Sequence, residues 1–163
     1  MRPAETRFMV ISLRKATYEE CDLLHSIQVK SFIGLLQKYN DFDSNPAAES
    51  LDRIQQRYQQ PYTDYYLIMA DDETVGMLRV CDFGVNCRLS PICILPEFRG
   101  RGYAQMAILA MEKLYPQALV WQLDTILQED HLCRLYEKLG YLKTGKEDHI
   151  QEGMDLVFYE KKM

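Results

Sequence analysis

One stretch limits the architecture more than any other: Arg88 to Thr125 reads as strand, glycine-bearing loop, helix, strand. The run Ile92-Cys93-Ile94-Leu95 is apolar at every position, which suits a strand at the centre of a sheet with both faces covered. Pro96 ends it. A helix starts near Gly102 and puts Ala104, Ala107, Ile108, Met111, Leu114 and Tyr115 on one stripe before Pro116 closes it. Ala118–Thr125 is the next strand. Such a unit demands a sheet with a helix layered on it.

The flanking sequence supplies the rest of that sheet. Met9–Leu13 predicts a first strand, and Thr17-Tyr18-Glu19-Glu20 is a capping box opening a helix to about Phe32. Lys38–Pro46 is polar and turn-rich. A second helix follows, with Pro46 near its first turn and Leu51, Ile54 and Tyr58 on one face. Tyr62–Ala70 and Val75–Phe83 predict a hairpin across Asp71–Thr74, and Gly84–Cys87 is a turn. Leu132, Leu135, Tyr136 and Leu139 form another helical stripe, with Gly140 as its left-handed cap. Tyr141–Lys146 and Met154–Tyr159 are the last strands. The predicted order, β-α-α-β-β-β-α-β-α-β-β, is an α/β fold. Its mixed, mostly antiparallel sheet has about seven strands flanked by about four helices. A chain of 163 residues, 47% of them hydrophobic, has enough for one core and too little for two, so a single domain over 1–163 is expected.

Charge and cysteines narrow the partners. A net charge of −5 argues against nucleic acid, whose binding needs a concentrated basic face. Cysteines at 21, 81, 87, 93 and 133 form no Cys-x-x-Cys pair and lie mostly in apolar stretches, as reduced thiols of a cytoplasmic protein do. His25, His131 and His149 are scattered, so no metal site is expected. Met1–Phe8 lacks the apolar core of a signal peptide and no run approaches a membrane span. The expectation is a cytoplasmic protein without a membrane partner.

Gly100 and Gly102 let the backbone turn sharply and bare its N–H groups. The helix that follows begins with unpaired N–H groups and partial positive charge, so the loop suits a phosphate, with Arg99 and Arg101 beside it. A plain tight turn with exposed arginines has the same local sequence. A dinucleotide fingerprint needs a third glycine where Gln105 stands, although Asp124 lies near the distance of its ribose-binding acid.

Two segments together decide between these readings. Leu95-Pro-Glu-Phe-Arg-Gly-Arg-Gly-Tyr-Ala104 resembles the signature loop of the GNAT superfamily of N-acetyltransferases: Gln or Arg, two residues, Gly, one residue, Gly or Ala, here Arg99, Gly102 and Ala104. Leu135-Tyr-Glu-Lys-Leu-Gly-Tyr141 resembles that family's C-terminal helix-to-strand segment. Their order, spacing and element context extend the resemblance over nearly the whole chain. It implies transfer of an acetyl or longer acyl group from acetyl-CoA to the amine of a small molecule or peptide, without a metal. It implies a pyrophosphate held by the amides of Gly100, Arg101, Gly102, Tyr103, Ala104 and Gln105 beside Arg99. The pantetheine arm would run along the backbone of Ile92, Cys93 and Ile94, one of whose N–H groups would face the thioester carbonyl. Tyr136 would be the acid for the leaving thiolate. Many relatives form a homodimer, and the resemblance extends to that state by analogy alone.

The remaining candidates concern the base and the acceptor. Asp124 stands where some relatives carry a basic glutamate; the alternatives are a strand-end structural acid and a water chain serving as base. Glu129 replaces an asparagine that in many relatives contacts the cofactor arm, so its carboxylate is a candidate for ordering water or holding substrate charge. In the superfamily Ile33–Pro61 builds acceptor specificity. Tyr39, Asp41, Phe42 and Asp43, acids beside aromatics, suit a cationic amine, and Trp121 is a further lining candidate. The change at Glu129 keeps a second reading open: a catalytically silent CoA-binding sensor or interaction module.

Overall fold

The structure, a computed structural model, describes residues 9–163; Met1–Phe8, read above for a leader, lies outside the described residues. Seven strands form one sheet in the order β1-β2-β3-β4-β5-β7-β6. They are β1 Ile11–Lys15, β2 Thr63–Ala70, β3 Glu73–Asp82, β4 Asn86–Ile94, β5 Val120–Ile126, β6 Leu142–Gln151 and β7 Met154–Lys162. Every pairing is antiparallel except β4 with β5. The α-helices are α1 Cys21–Tyr39, α2 Leu51–Tyr58, α3 Tyr103–Leu114 and α4 Asp130–Lys138. None of the described helices is long and apolar enough to cross a membrane.

Alternation along the strands divides the core in two. On one face Tyr65, Leu67, Met77 and Cys93 meet Leu24 and Ile27 of α1 and Ile54 of α2. On the other, Ile68, Leu78 and Val80 join Ala107, Ile108 and Met111 of α3, and Trp121 and Leu123 join Cys133 and Tyr136 of α4. β4 changes parity midway. Val80 pairs with Leu89 but Leu78 with Ile92, so one extra residue is inserted on β4 at Ser90-Pro91. A bulge tolerates proline's missing N–H and re-aims the strand beyond it. Leu89, Ile92 and Ile94 therefore share the α3 face, while Cys93 turns to the α1 face. Arg79 Nε donates to the Ser90 carbonyl at 2.6 Å and braces the bulge.

Several boundaries differ from the sequence expectations for physical reasons. The capping box forms, with Thr17 N–H donating to Glu20 Oε1 at 3.0 Å, but Tyr18–Glu20 is a 3-10 turn leading into α1. Helix α1 continues past Phe32 to Tyr39, because Leu36 and Tyr39 extend its buried stripe. Asn40 ends it in the left-handed region at φ 53°, donating to the Leu36 carbonyl at 2.7 Å. Pro46 opens a separate 3-10 turn, and α2 begins at Leu51, where Ser50 Oγ accepts from Arg53 N–H at 3.1 Å. β6 runs to Gln151 instead of Lys146. Its residues are mostly exposed and polar, so no hydrophobic alternation marks its end, whereas pairing to β7 does.

Candidate functional site

β4 and β5 are partners over three residue pairs only, Asn86 with Val120, Cys87 with Trp121 and Arg88 with Gln122. Past Arg88 they part. The opening is a cleft of about 720 Å³ between the second half of β4, the end of β5, the start of α3, one side of α4 and the Ser31–Pro46 segment.

The glycine loop forms one end of this cleft. Gly100 and Gly102 both lie at φ 78°, a conformation costly for any residue with a Cβ. Gly102 is the N-cap of α3. Among the described residues, none of the six N–H groups from Gly100 to Gln105 donates within the protein; the first bond is Met106 N–H to Gly102 O at 3.2 Å. Six bare donors at a helix start form an anion cradle. Arg99 takes a different part from its neighbours. Its Nε donates to the Ile94 carbonyl at 3.2 Å and its Nη2 to the Ser31 carbonyl at 2.5 Å, tying the end of β4 to α1. Arg101 lies over the Phe98 ring, 5.6 Å from its centroid.

The register of β4 decides which of its amides face the cleft. Leu95 N–H donates to the Val75 carbonyl at 2.8 Å, which makes that pair hydrogen-bonded. Antiparallel pairs alternate, so Cys93, opposite Met77, also points its N–H at β3. Ile92 and Ile94 then direct theirs to the open side. The Cys93 thiol is buried, and desolvation pushes it up to about 12.

Tyr136, on α4, lines the cleft and is 7% exposed. Its ring packs edge-on to Tyr141 at 6.2 Å, and its hydroxyl has no hydrogen-bond partner among the described residues. Burial raises its pKa above the ordinary phenol value, with Asp124, Cys133 and Cys93 adding in the same sense. Asp124, on β5, lines the same cleft. Arg88 Nη2 donates to Asp124 Oδ1 at 2.7 Å, yet burial outweighs that cation and the Asp124 carboxyl sits above its usual range.

The acceptor-side candidates separate. Glu129 is buried beside the cleft and its Oε2 accepts from Lys38 Nζ at 2.7 Å and Tyr39 OH at 2.6 Å. Burial raises its pKa, but those two donors together bring it below the ordinary value. Asp41 lines the cleft, and both carboxylate oxygens accept from Ser44, its Oδ1 from the N–H and its Oδ2 from the hydroxyl. Asp43 and Phe42 lie outside the cleft lining, as does Tyr39, whose ring is buried between α1 and β7. Trp121 is fully buried against Tyr115 in the α3-side core and does not reach the cleft. Arg88, Ser31 and the Pro91 bulge also shape the site and were not among the sequence candidates. Strand alternation gives Arg88 and Asp124 the same face, which is the signal available for that pair; no comparable signal marks Ser31.

The chain matches the model of the acetyltransferase (GNAT) family over residues 29–141, more than half its length, and it belongs to that family. No curated protein sequence matches it. Among solved structures it is similar to an acetyltransferase from Thermus thermophilus, with 17% identity, 95% of this chain and 98% of that one covered, and a TM-score of 0.71. It is similar to the Salmonella typhimurium acetyltransferase that modifies the N-terminal serine of ribosomal protein L7/L12, with 17% identity, 99% and 98% covered, TM-score 0.73. It is also similar to spermidine N-acetyltransferase from Vibrio cholerae, solved with CoA and spermine, with 16% identity, 93% and 95% covered, TM-score 0.73. At these identities the likeness is one of fold, and the fold is that of the GNAT acetyltransferases.

Proposed function

We propose that the chain transfers an acetyl group from acetyl-CoA to a primary amine by direct attack in a ternary complex. The observation that carries this is the meeting, in one cleft, of six unpaired loop amides, two outward-facing β4 amides and the Tyr136–Asp124 pair. The amides from Gly100 to Gln105 would hold the pyrophosphate, and the β4 backbone the pantetheine arm. Acetyl-CoA supplies an activated carbonyl carbon. The N–H of Ile92 or Ile94 is then the donor toward the carbonyl oxygen as negative charge develops there.

Proton accounting assigns the side chains. An alkylammonium must lose one proton to attack and a second after the C–N bond forms; one ends on the departing sulfur and the other in solvent. Asp124 accepts the first, directly or through water, and its raised basicity suits that task. The Tyr136 hydroxyl has no competing acceptor and stays protonated at neutral pH, so it is free to donate to the thiolate. The test is free-thiol release from acetyl-CoA across a broad amine panel, with calorimetry against CoA. No thiol release and no CoA heat together refute the reading.

A further inference from the structure

The face of the sheet that carries Asp124 is covered unevenly. Gln122, Asp124 and Ile126 on β5, and Leu156, Phe158 and Glu160 on β7, point away from the α3–α4 core. At one end Ile126 and Leu156 lie under α1, against Tyr39 and Leu35. Beyond Asp124 none of the described helices covers the face. A second cavity of about 300 Å³ opens there, lined by Arg88, Gln122, Thr144, Lys146, Phe158 and Glu160, among others. The Arg88–Asp124 hydrogen bond is the boundary between this groove and the large cleft: Arg88 lines one and Asp124 the other.

The charges of the two cavities differ in availability. In the cleft, Asp41 is spent on Ser44 and the Oε2 of Glu129 on Lys38 and Tyr39. In the groove, Glu160 accepts from the Gln122 amide at 3.5 Å. The cations there keep unpartnered donors, Arg88 beside its ion pair with Asp124. Arg88 uses only Nη2 and keeps Nε and Nη1 free of partners among the described residues. Lys146 holds its ammonium 4.3 Å from the Phe158 ring centroid and bonds no carboxylate among the described residues. Phe158 is the register partner of Asp124, so this cation lies beside the candidate base.

We infer that the groove anchors the acceptor and that the acceptor is a primary amine carrying a carboxylate, held by Arg88 and Lys146 while its amine reaches Asp124. This rests on the acetyl-transfer reading and names its substrate class. A polycationic amine would meet two cations on this side of the base, set against Glu160 in the groove and Asp148 near the base, and carboxylates already hydrogen-bonded on the other. A carboxylate-bearing amine meets free guanidinium and ammonium donors, the strong charge-assisted kind.

The test compares alanine, glutamate and γ-aminobutyrate with their amides and with spermidine, using acetyl-CoA and thiol release. The acids should exceed their amides in kcat/KM by about tenfold, the worth of one charge-assisted hydrogen bond. Lys146→Gln should raise KM for the acids several-fold more than KM for the amides. Preference for spermidine or the amides, or a KM for the acids indifferent to Lys146→Gln, overturns the inference while leaving acetyl transfer standing. If no amine is acetylated, the transfer reading fails. Calorimetry of the CoA-loaded protein with the same compounds then decides: heat with the acids alone, weakened by Lys146→Gln, upholds the groove, and no heat or equal heat with the amides overturns it.

Discussion

Removing the Tyr136 hydroxyl isolates chemistry from packing. The ring fills a buried site against Tyr141 and Tyr159, and phenylalanine keeps every one of those contacts. The hydroxyl itself bonds nothing within the described residues, so its loss leaves no donor or acceptor stranded. Tyr136→Phe should therefore change stability by no more than about 0.5 kcal/mol. A positioned general acid contributes roughly 10²–10⁴ in rate, which is about 2.7–5.5 kcal/mol of barrier. The expected variant folds and binds CoA as the wild type does, and its kcat falls within that range. The assay is thiol release at saturating acceptor, with a thermal melt and CoA calorimetry on the same preparation. An unchanged kcat refutes the acid role. A fall in kcat accompanied by a melting drop of several degrees refutes it also, because that pattern belongs to packing.

The other expectations follow from charge and backbone. Burial raises the Asp124 carboxyl above its unfolded value near 3.9, so its stabilising contribution is full below that pH and is lost as pH rises through the folded pKa. Asp124→Asn should lower kcat while leaving the neutral-pH melting temperature unchanged or higher; a clear loss of stability at neutral pH would identify a structural acid. Glu129 has the opposite sign: its pKa is lowered, so its contribution is full above about 4.3 and vanishes as pH falls through the folded value. Glu129→Gln should flatten the acid limb of the melting curve, and a parallel limb in wild type and variant contradicts this. At Gly76 a Cβ would overlap the Cys93 carbonyl oxygen, so Gly76→Ala should cost ~3 kcal/mol in urea unfolding. At Gly102 a Cβ meets nothing within 4 Å and only the left-handed φ is strained, so Gly102→Ala should cost about 1 kcal/mol; equal losses at the two glycines would contradict this contrast.

What was legible in the chain was whatever acts locally. Gly100 and Gly102 dictate a loop because only glycine tolerates their φ, and the apolar run Ile92–Leu95 dictates a central strand because both its faces must be covered. The stripe carrying Tyr136 was visible for the same reason. Long-range partners were not legible. Asp41 and Asp43 looked like an acidic pair beside aromatics, but turn geometry gives Asp41 to Ser44 and leaves Asp43 outside the cleft lining. Glu129 meets Lys38 across some ninety positions of sequence, a distance no periodicity spans. The end of α1 was misplaced because polar residues interrupt a stripe that Leu36 and Tyr39 resume.

These hidden partnerships change what the site asks of an acceptor. Residue types alone place negative charge around the Ile33–Pro61 segment and favour a cation. The folded chain engages those carboxylates from within: Lys38 offsets the charge of Glu129, whose Oε2 joins the end of α1 to the start of α4, and Asp41 holds a turn through the neutral donors of Ser44. Among the described residues lining the groove, where β4 and β5 part, Lys146 bonds no carboxylate, Arg88 keeps unpartnered guanidinium nitrogens beside its ion pair with Asp124, and Glu160 is the one carboxylate. The same parting that exposes the β4 amides on the Tyr136 side sets Asp124 against Arg88 at the edge of the groove. In the proposed reading, donor recognition and acceptor recognition depend on one structural event, the parting of β4 from β5, and the Ser90-Pro91 bulge on β4 lies just beyond the last paired residue, Arg88.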